Sequence, residues 1–247
     1  MTGKFVSMPN IPERKVGCVV ISGLVPDIVN ELQRLGIRTI ISKRLDSVEG
    51  SESSHADMSL FHVGDEFIYA SVNISQVLRD ELISEGMKIT YTEKPVTAKA
   101  PCLNVCLIGN KVICNTRLAD SGLIEKLSAS GKHILHTNQG YTKCSAAIVN
   151  ENAVITADNS ISELCRKNNM DVLHIEYGHI MLEGYPYGFI GGSCGLLSKD
   201  TLAFFGNIKE HPDYDNIRSF AKDHGVDIIS LTNKKLYDVG GIISIKY

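Results

Sequence analysis

Apolar positions along this chain fall into two alternating patterns, separated by glycine, asparagine and aspartate. The first pattern is an amphipathic helical stretch that ends at glycine, or at an asparagine able to take the left-handed cap, with a short β-branched strand close behind. It recurs five times. The copies are Pro26 to Leu35 with Gly36 and Ile37 to Ile41; Ser75 to Glu85 with Gly86 and Lys88 to Thr92; and Ser121 to Ser130 with Gly131 and His133 to His136. The last two are Ser160 to Asn168 with Asn169 and Val172 to Ile175, and Tyr214 to His224 with Gly225 and Val226 to Leu231. Pro26 suits a helix start, and Asp120 or Ser121 suits a cap.

The second pattern is a pair of short apolar strands joined by a tight polar turn, which predicts a hairpin. Four copies stand between the helix-strand pieces: Asp57 to Ser71 turning at Gly64-Asp65, Asn104 to Asn115 at Gly109-Asn110, Ser145 to Ala157 at Asn150-Glu151-Asn152, and Ser193 to Gly206 at Ser198-Lys199-Asp200. A fifth hairpin completes the set if Gly240 to Ile245 pairs with Val16 to Ser22. Units of this size cannot bury both faces of a small sheet alone and must pack side by side. The expected fold class is therefore α/β: a five-bladed propeller with pseudo-fivefold symmetry around a polar central channel. It forms one domain over residues 1–247, with units near 16–50, 55–95, 102–138, 143–180 and 191–233, and 238–247 closing onto the first. A doubly wound open sheet expects strands and helices to alternate singly and leaves the hairpins unexplained.

Aligning the hairpins on their turns places Asp57, Asn104, Ser145 and Ser193 at one equivalent position, with His55, Cys102, Lys143 and Gly191 two residues earlier. Strand periodicity puts both sets on one face, as a solvated channel wall requires. The alternative is that these are ordinary turn residues, where serine, asparagine and aspartate are common.

Composition narrows the partners. A net charge of −3 and 43% apolar residues in 247, without a basic run, argue for a folded globular protein and against nucleic acid or an anionic membrane surface. The first fifteen residues lack the apolar core of a signal peptide and no run is long enough to span a bilayer, so a cytoplasmic location is expected. Seven cysteines, an odd number without CxxC spacing, indicate neither a disulfide framework nor a zinc ribbon. No metal and no cofactor are expected. The partner is a small-molecule ligand in the channel, and self-association into a homo-oligomer stays open.

The run His55-Ala56-Asp57-Met58-Ser59-Leu60-Phe61, on this five-repeat background, resembles the His-x-Asp segment of the pentein superfamily: arginine and agmatine deiminases, dimethylargininases, amidinotransferases, and a non-enzymatic ribosome anti-association factor. The resemblance implies His55 as general acid/base, Asp57 as guanidinium anchor and a cysteine from another blade as nucleophile. A guanidinium needs carboxylates to hold its planar donor fork. Two departures matter. The deiminases carry the cysteine near the C-terminus after a glycine pair, where this chain reads Asp238-Val239-Gly240-Gly241-Ile242-Ile243-Ser244, and the histidine segment stands earlier here than is usual. Ser244 cannot stand in for a thiolate.

A rotation of the functional blades around the ring would reconcile both departures and makes Cys194, after Gly191-Gly192-Ser193, the expected nucleophile. Strand parity with Ser193 points Cys194 away from the channel unless the glycine pair makes a bulge. Cys144 shares that difficulty, and Cys102 lacks the glycine context. Asn104, Ser145, Ser193 and Asp238 are the expected substrate-binding residues, and the loop Glu183 to Gly188 either covers the channel mouth or is plain surface. Two functions follow: a hydrolase or transferase acting on a guanidino or amidino compound through Cys, His and Asp, or a non-catalytic binding protein on the same fold.

Overall fold

The computed structural model describes residues 3–247. Its strands form five separate three-stranded sheets. The first blade holds β1 (Cys18–Ser22), α1 (Pro26–Arg34) and β2 (Arg38–Ser42). The second opens with a short turn of helix, α2 (Ala56–Ser59), and continues through β3 (Leu60–Gly64), β4 (Phe67–Ala70), α3 (Gln76–Ser84) and β5 (Lys88–Tyr91). The third has β6 (Cys106–Ile108), β7 (Lys111–Cys114), α4 (Ser121–Ala129) and β8 (His133–His136). In the fourth, α5 (Thr142–Ser145) precedes β9 (Ala146–Asn150), β10 (Ala153–Thr156), α6 (Asn159–Lys167) and β11 (Asp171–His174). The fifth follows a 3-10 turn at Gly191–Ser193 with β12 (Cys194–Ser198), β13 (Thr201–Phe204), α7 (Tyr214–Asp223) and β14 (Asp227–Ser230), and β15 (Ile242–Lys246) returns to the first sheet.

In every blade the central strand runs antiparallel to its inner neighbour and parallel to its outer one. The inner strands β6, β9, β12, β15 and β3 neighbour one another in that order around the ring and are almost wholly buried, whereas β5, β8, β11 and β14 on the rim are half exposed. This is the five-bladed α/β propeller that the repeats predict. Each long helix buries an i, i+4 pair against its sheet: Ile28 and Leu32, Leu78 and Leu82, Leu123 and Leu127, Ile161 and Cys165, Ile217 and Ala221. Burying one such aliphatic side chain is worth roughly 1.5–3 kcal/mol, so packing rather than propensity holds these nine- and ten-residue helices.

The punctuation behaves as its chemistry requires. Gly36, Gly86, Gly131, Asn169 and Gly225, which end the five helices, all have positive φ. The side chains of Ser75, Asp120 and Asp158 accept hydrogen bonds from the first turns of α3, α4 and α6. The fifth hairpin forms between the chain ends, with Val19 opposite Ser244 and Ile21 opposite Ile242. Ahead of β1, the N-terminal segment crosses the base of the ring: Val6 N donates to Ile245 O, Asp65 N donates to Val6 O, and Asn10 Nδ2 donates to Leu107 O at 3.0 Å. That contact series stitches the first three blades together.

One sequence expectation is corrected. The polar column at Asp57, Asn104, Ser145 and Ser193 does not begin strands: Asp57 lies in α2, Ser145 in α5, Ser193 in the 3-10 turn and Asn104 in a turn ahead of β6. All four are buried. Successive side chains in these helical turns rotate by about 100° rather than 180°, so the parity that turned position 144 away from the channel does not hold there.

Candidate active site

The turns that precede the inner strands deliver the polar side chains to the ring centre. His55 caps α2 with an extended backbone, and its carbonyl accepts from Met58 N, which fixes Asp57 one step further along the turn. On the fourth blade, Thr142 anchors α5 by sharing its one hydroxyl proton between Asn104 O at 2.9 Å and Ile113 O at 2.8 Å, while its Oγ1 accepts from Cys106 N. Asn104 then clamps the turn: Oδ1 accepts from Lys143 N at 2.9 Å and from Cys144 N at 3.2 Å, and Nδ2 donates to Cys144 Sγ at 3.3 Å. Cys144 in turn donates to Asp57 Oδ2 at 2.8 Å.

Asp238 enters from the last segment of the chain. Gly240 N donates to its Oδ1 at 3.0 Å and Phe189 N to its Oδ2 at 2.9 Å, and Oδ1 lies 3.8 Å from His55 Nδ1. Close backbone approach makes this possible. A Cβ on Gly240, at φ +75°, would sit 2.4 Å from His55 Cβ and 2.6 Å from Asp57 Oδ1, and one on Gly192 would fall 1.9 Å from Asp238 Oδ1.

His55, Cys144 and Asp238 thus offer donor atoms that all lie within 4.8 Å of one another, the one such trio among the described residues. A thiol, an imidazole and a carboxylate form a set that zinc also accepts.

All of these side chains are buried, and burial governs their charge. It is the largest effect on Asp57, whose carboxyl rises to about 6 with Asp238 adding to the shift, while His55, the Cys144 thiol and Lys143 oppose it. Burial raises Asp238 as well, against the pull of His55. Cys144 is pushed well above the usual thiol range, first by burial and then by the charges of Asp57 and Asp238. Two polar atoms in the cluster, His55 Nε2 and Asp57 Oδ1, have no protein partner. Unpaired buried polar atoms are costly and mark places where a ligand supplies what the fold does not.

Beside the cluster opens a cavity of about 280 Å³. Glu52, His55, Cys144 and Asp238 contribute its polar surface; Tyr141, Phe189 and the run Tyr185 to Tyr187 are prominent in its aromatic and apolar wall. The Tyr141 and Phe189 rings stack with centroids 6.3 Å apart. Tyr185 donates its hydroxyl to Glu52 Oε1, and Ser51 Oγ donates to Glu183 O at 2.9 Å, so two bonds tie the loop over the second blade.

The structure brings His55, Asp57 and Asp238 together, and with them Cys144 rather than Cys194. Cys194 begins β12 and faces a second, very small space with Lys143, Gly191 and Ser244, where burial pushes its thiol up to about 12. Asn104 holds Cys144 rather than lining the cavity. Ser193 spends its hydroxyl on Ile190 O at 2.9 Å, and Ser145 is buried outside the cavity wall. Glu52, Tyr141 and Phe189 escaped the sequence reading. Only the loop Glu183 to Gly188 carried a signal, its spaced aromatics, and Tyr185 to Tyr187 do line the opening.

A family model described as "Family of unknown function (DUF6873)" matches residues 20–243. No curated protein matches the sequence. Among solved structures the chain is similar to SxtG, an amidinotransferase of the saxitoxin biosynthetic pathway from Microseira wollei, with a TM-score of 0.63 at 9% identity over 100% of this chain and 98% of that one. It is also similar to the inosamine-phosphate amidinotransferase of Streptomyces griseus, with a TM-score of 0.61 at 12% identity over 98% and 96%. Agmatine deiminase from C. jejuni gives 0.56 at 8% identity over 94% and 93%. At such identities the likeness concerns the fold.

Proposed function

Given that the chain belongs to the DUF6873 family and has the pentein fold, we propose that it holds a guanidino or amidino compound in the channel and acts on it by attack of Cys144 on the amidine carbon. The observation that carries this reading is the buried meeting of one thiol, one imidazole and two carboxylates at the floor of a cavity. A guanidinium or amidinium is a planar cation, and Asp57 Oδ1 and the Asp238 carboxylate are acceptors suited to its N–H groups.

The charges give the reaction an order. With the site empty, burial and two carboxylates keep the Cys144 thiol protonated. A cation settling by those carboxylates cancels their effect on the sulfur, and the thiol proton passes to His55, a ring nitrogen of which lies within 4.8 Å of the sulfur. The sulfur then forms a C–S bond to the amidine carbon. His55 then gives the proton it took from the thiol to the departing nitrogen as the C–N bond breaks, leaving an S-amidino cysteine. Attack by water makes the protein a hydrolase; attack by an acceptor amine makes it a transferase. A second reading, binding without turnover on the same fold, draws support from the protonated resting thiol.

Chloroacetamidine tests the proposal, because it joins an amidinium to an alkylating carbon, while chloroacetamide is its neutral counterpart. The cation should modify Cys144 faster than the neutral reagent and faster than it modifies any other cysteine, as read by peptide mass spectrometry. Equal rates for the two reagents, or preferential labelling of Cys194, would sink the proposal. If labelling is selective and a panel of guanidines yields neither released amine nor urea, the binding reading stands in its place.

A further inference from the structure

The cavity next to Cys144 is unusual in the sign of its charge. Two carboxylates line it, Glu52 and Asp238, a third belongs to Asp57 directly behind the thiol, and no lysine or arginine lines it. Lys143, the ammonium whose charge reaches Asp57 and Asp238, lines the small space on the Cys194 side instead. A carboxylate on a ligand would therefore enter a low-dielectric space without a counter-charge and among like charges, which is strongly unfavourable. The rings of Tyr141, Tyr185, Tyr187 and Phe189 add a wall that offers an anion no counter-charge, and wherever a ring presents its face it favours a cation.

Glu52 has no part in the chemistry proposed above. It is 4% exposed; its Oε1 accepts from the Tyr185 hydroxyl, and its Oε2 is buried with no partner at all. Bonded to that carboxylate, the Tyr185 hydroxyl is pushed up to about 12 and stays a donor. A buried carboxylate with one oxygen satisfied and the other empty is matched by a ligand that brings a donor. The cavity volume of about 280 Å³ falls just below the roughly 300–1,000 Å³ range of ligand sites, so one short molecule must reach both Glu52 and the Cys144 cluster.

We propose that the ligand is a short guanidine or amidine without a carboxylate, bearing at its other end an amine that donates to Glu52. This rests on the guanidine reading of Cys144 and adds to it which guanidines are taken and which residue selects them.

The test uses the intact chain and three probes: agmatine, arginine, which is agmatine with a carboxylate added, and butylguanidine, which lacks the amine. Each is titrated for protection of Cys144 against chloroacetamidine. Agmatine should protect at concentrations about tenfold or more below arginine, whose carboxylate would be buried without a counter-charge among like charges. It should also protect better than butylguanidine, and Glu52→Gln should erase that second preference. Protection by arginine equal to or better than agmatine overturns the inference while leaving the guanidine reading intact, and it needs no variant. A preference for agmatine over butylguanidine that survives in a folded Glu52→Gln protein overturns the role of Glu52. If chloroacetamidine shows no preference for Cys144 over the other cysteines, the guanidine reading falls and this inference with it.

Discussion

Replacing Asp57 with asparagine should move the reactivity of Cys144 in opposite directions for two reagents. The carboxylate accepts the thiol's hydrogen bond at 2.8 Å and helps to hold the thiol above its normal range. A neighbouring charge at this range shifts a titrating group by about 1–3 units. Removing it lowers the thiol pKa by that amount, so the thiolate population rises about 10- to 1,000-fold. Nucleophilicity falls with pKa at a slope of about 0.4–0.5, which leaves a net acceleration of about 3- to 50-fold for the neutral reagent chloroacetamide. The amidinium reagent loses its carboxylate partner at the same time, worth about 1.5–3 kcal/mol. The ratio of amidinium to neutral labelling at Cys144 should therefore fall by about 10- to 150-fold while the neutral rate climbs. Both rates are read on the Cys144 peptide at pH 7, with unfolding followed separately by circular dichroism. A variant that slows both reagents equally, or that keeps the wild-type ratio, refutes the electrostatic account of the site, and simple misfolding would accelerate both.

Three other outcomes follow from the same geometry. Asp57, raised from 3.8 to about 6, keeps in the folded state a proton that the unfolded chain has lost, so its contribution lowers stability as pH rises through that window, by about 3 kcal/mol in all; urea titrations at pH 4 and pH 7 should show Asp57→Asn gaining most at pH 7, and an equal gain at both would contradict the shift. Gly240→Ala pushes a Cβ onto His55 and Asp57 from a left-handed backbone, and should cost about 1–3 kcal/mol together with most of the amidinium selectivity; an unchanged labelling ratio would mean that the loop is not what sets the spacing. Zinc ions should protect Cys144 from alkylation, reversibly on chelation, because His55, Cys144 and Asp238 present three donors within 4.8 Å, and labelling indifferent to micromolar zinc would show that the trio cannot converge on one ion.

The architecture was legible because it depends on local chemistry repeated five times. The left-handed caps at Gly36, Gly86, Gly131, Asn169 and Gly225, and tight turns such as Gly64-Asp65, need residue types that announce themselves. His55 and Asp57 were legible for a different reason, a segment that resembles a known one. The thiol that meets His55 was not: the glycine pair favoured Cys194 and strand alternation turned Cys144 away, whereas a single helical turn at Thr142–Ser145 replaces 180° steps by about 100°. Glu52 was beyond reach altogether. It stands in a polar run, Gly50 to Ser54, that reads as surface, whereas in the fold it is buried and bonded to Tyr185 from a loop 133 residues further along the chain.

The pairing of β1 with β15 has a consequence for how the protein is made. Sheets two to five are each built from one continuous stretch, whereas the first needs strands from opposite ends of the chain, and its closure is the long-range step that such a topology makes slow. Asp238 lies in the segment that performs this closure. A growing or partly folded ring can already bring Asp57 to Cys144 between its second and fourth blades, but it lacks the second carboxylate and the Gly240 backbone that presses on His55. The full set of groups around Cys144 is thereby completed only when the ring locks, and recovery of selective Cys144 labelling during refolding becomes a clock for the last event in folding.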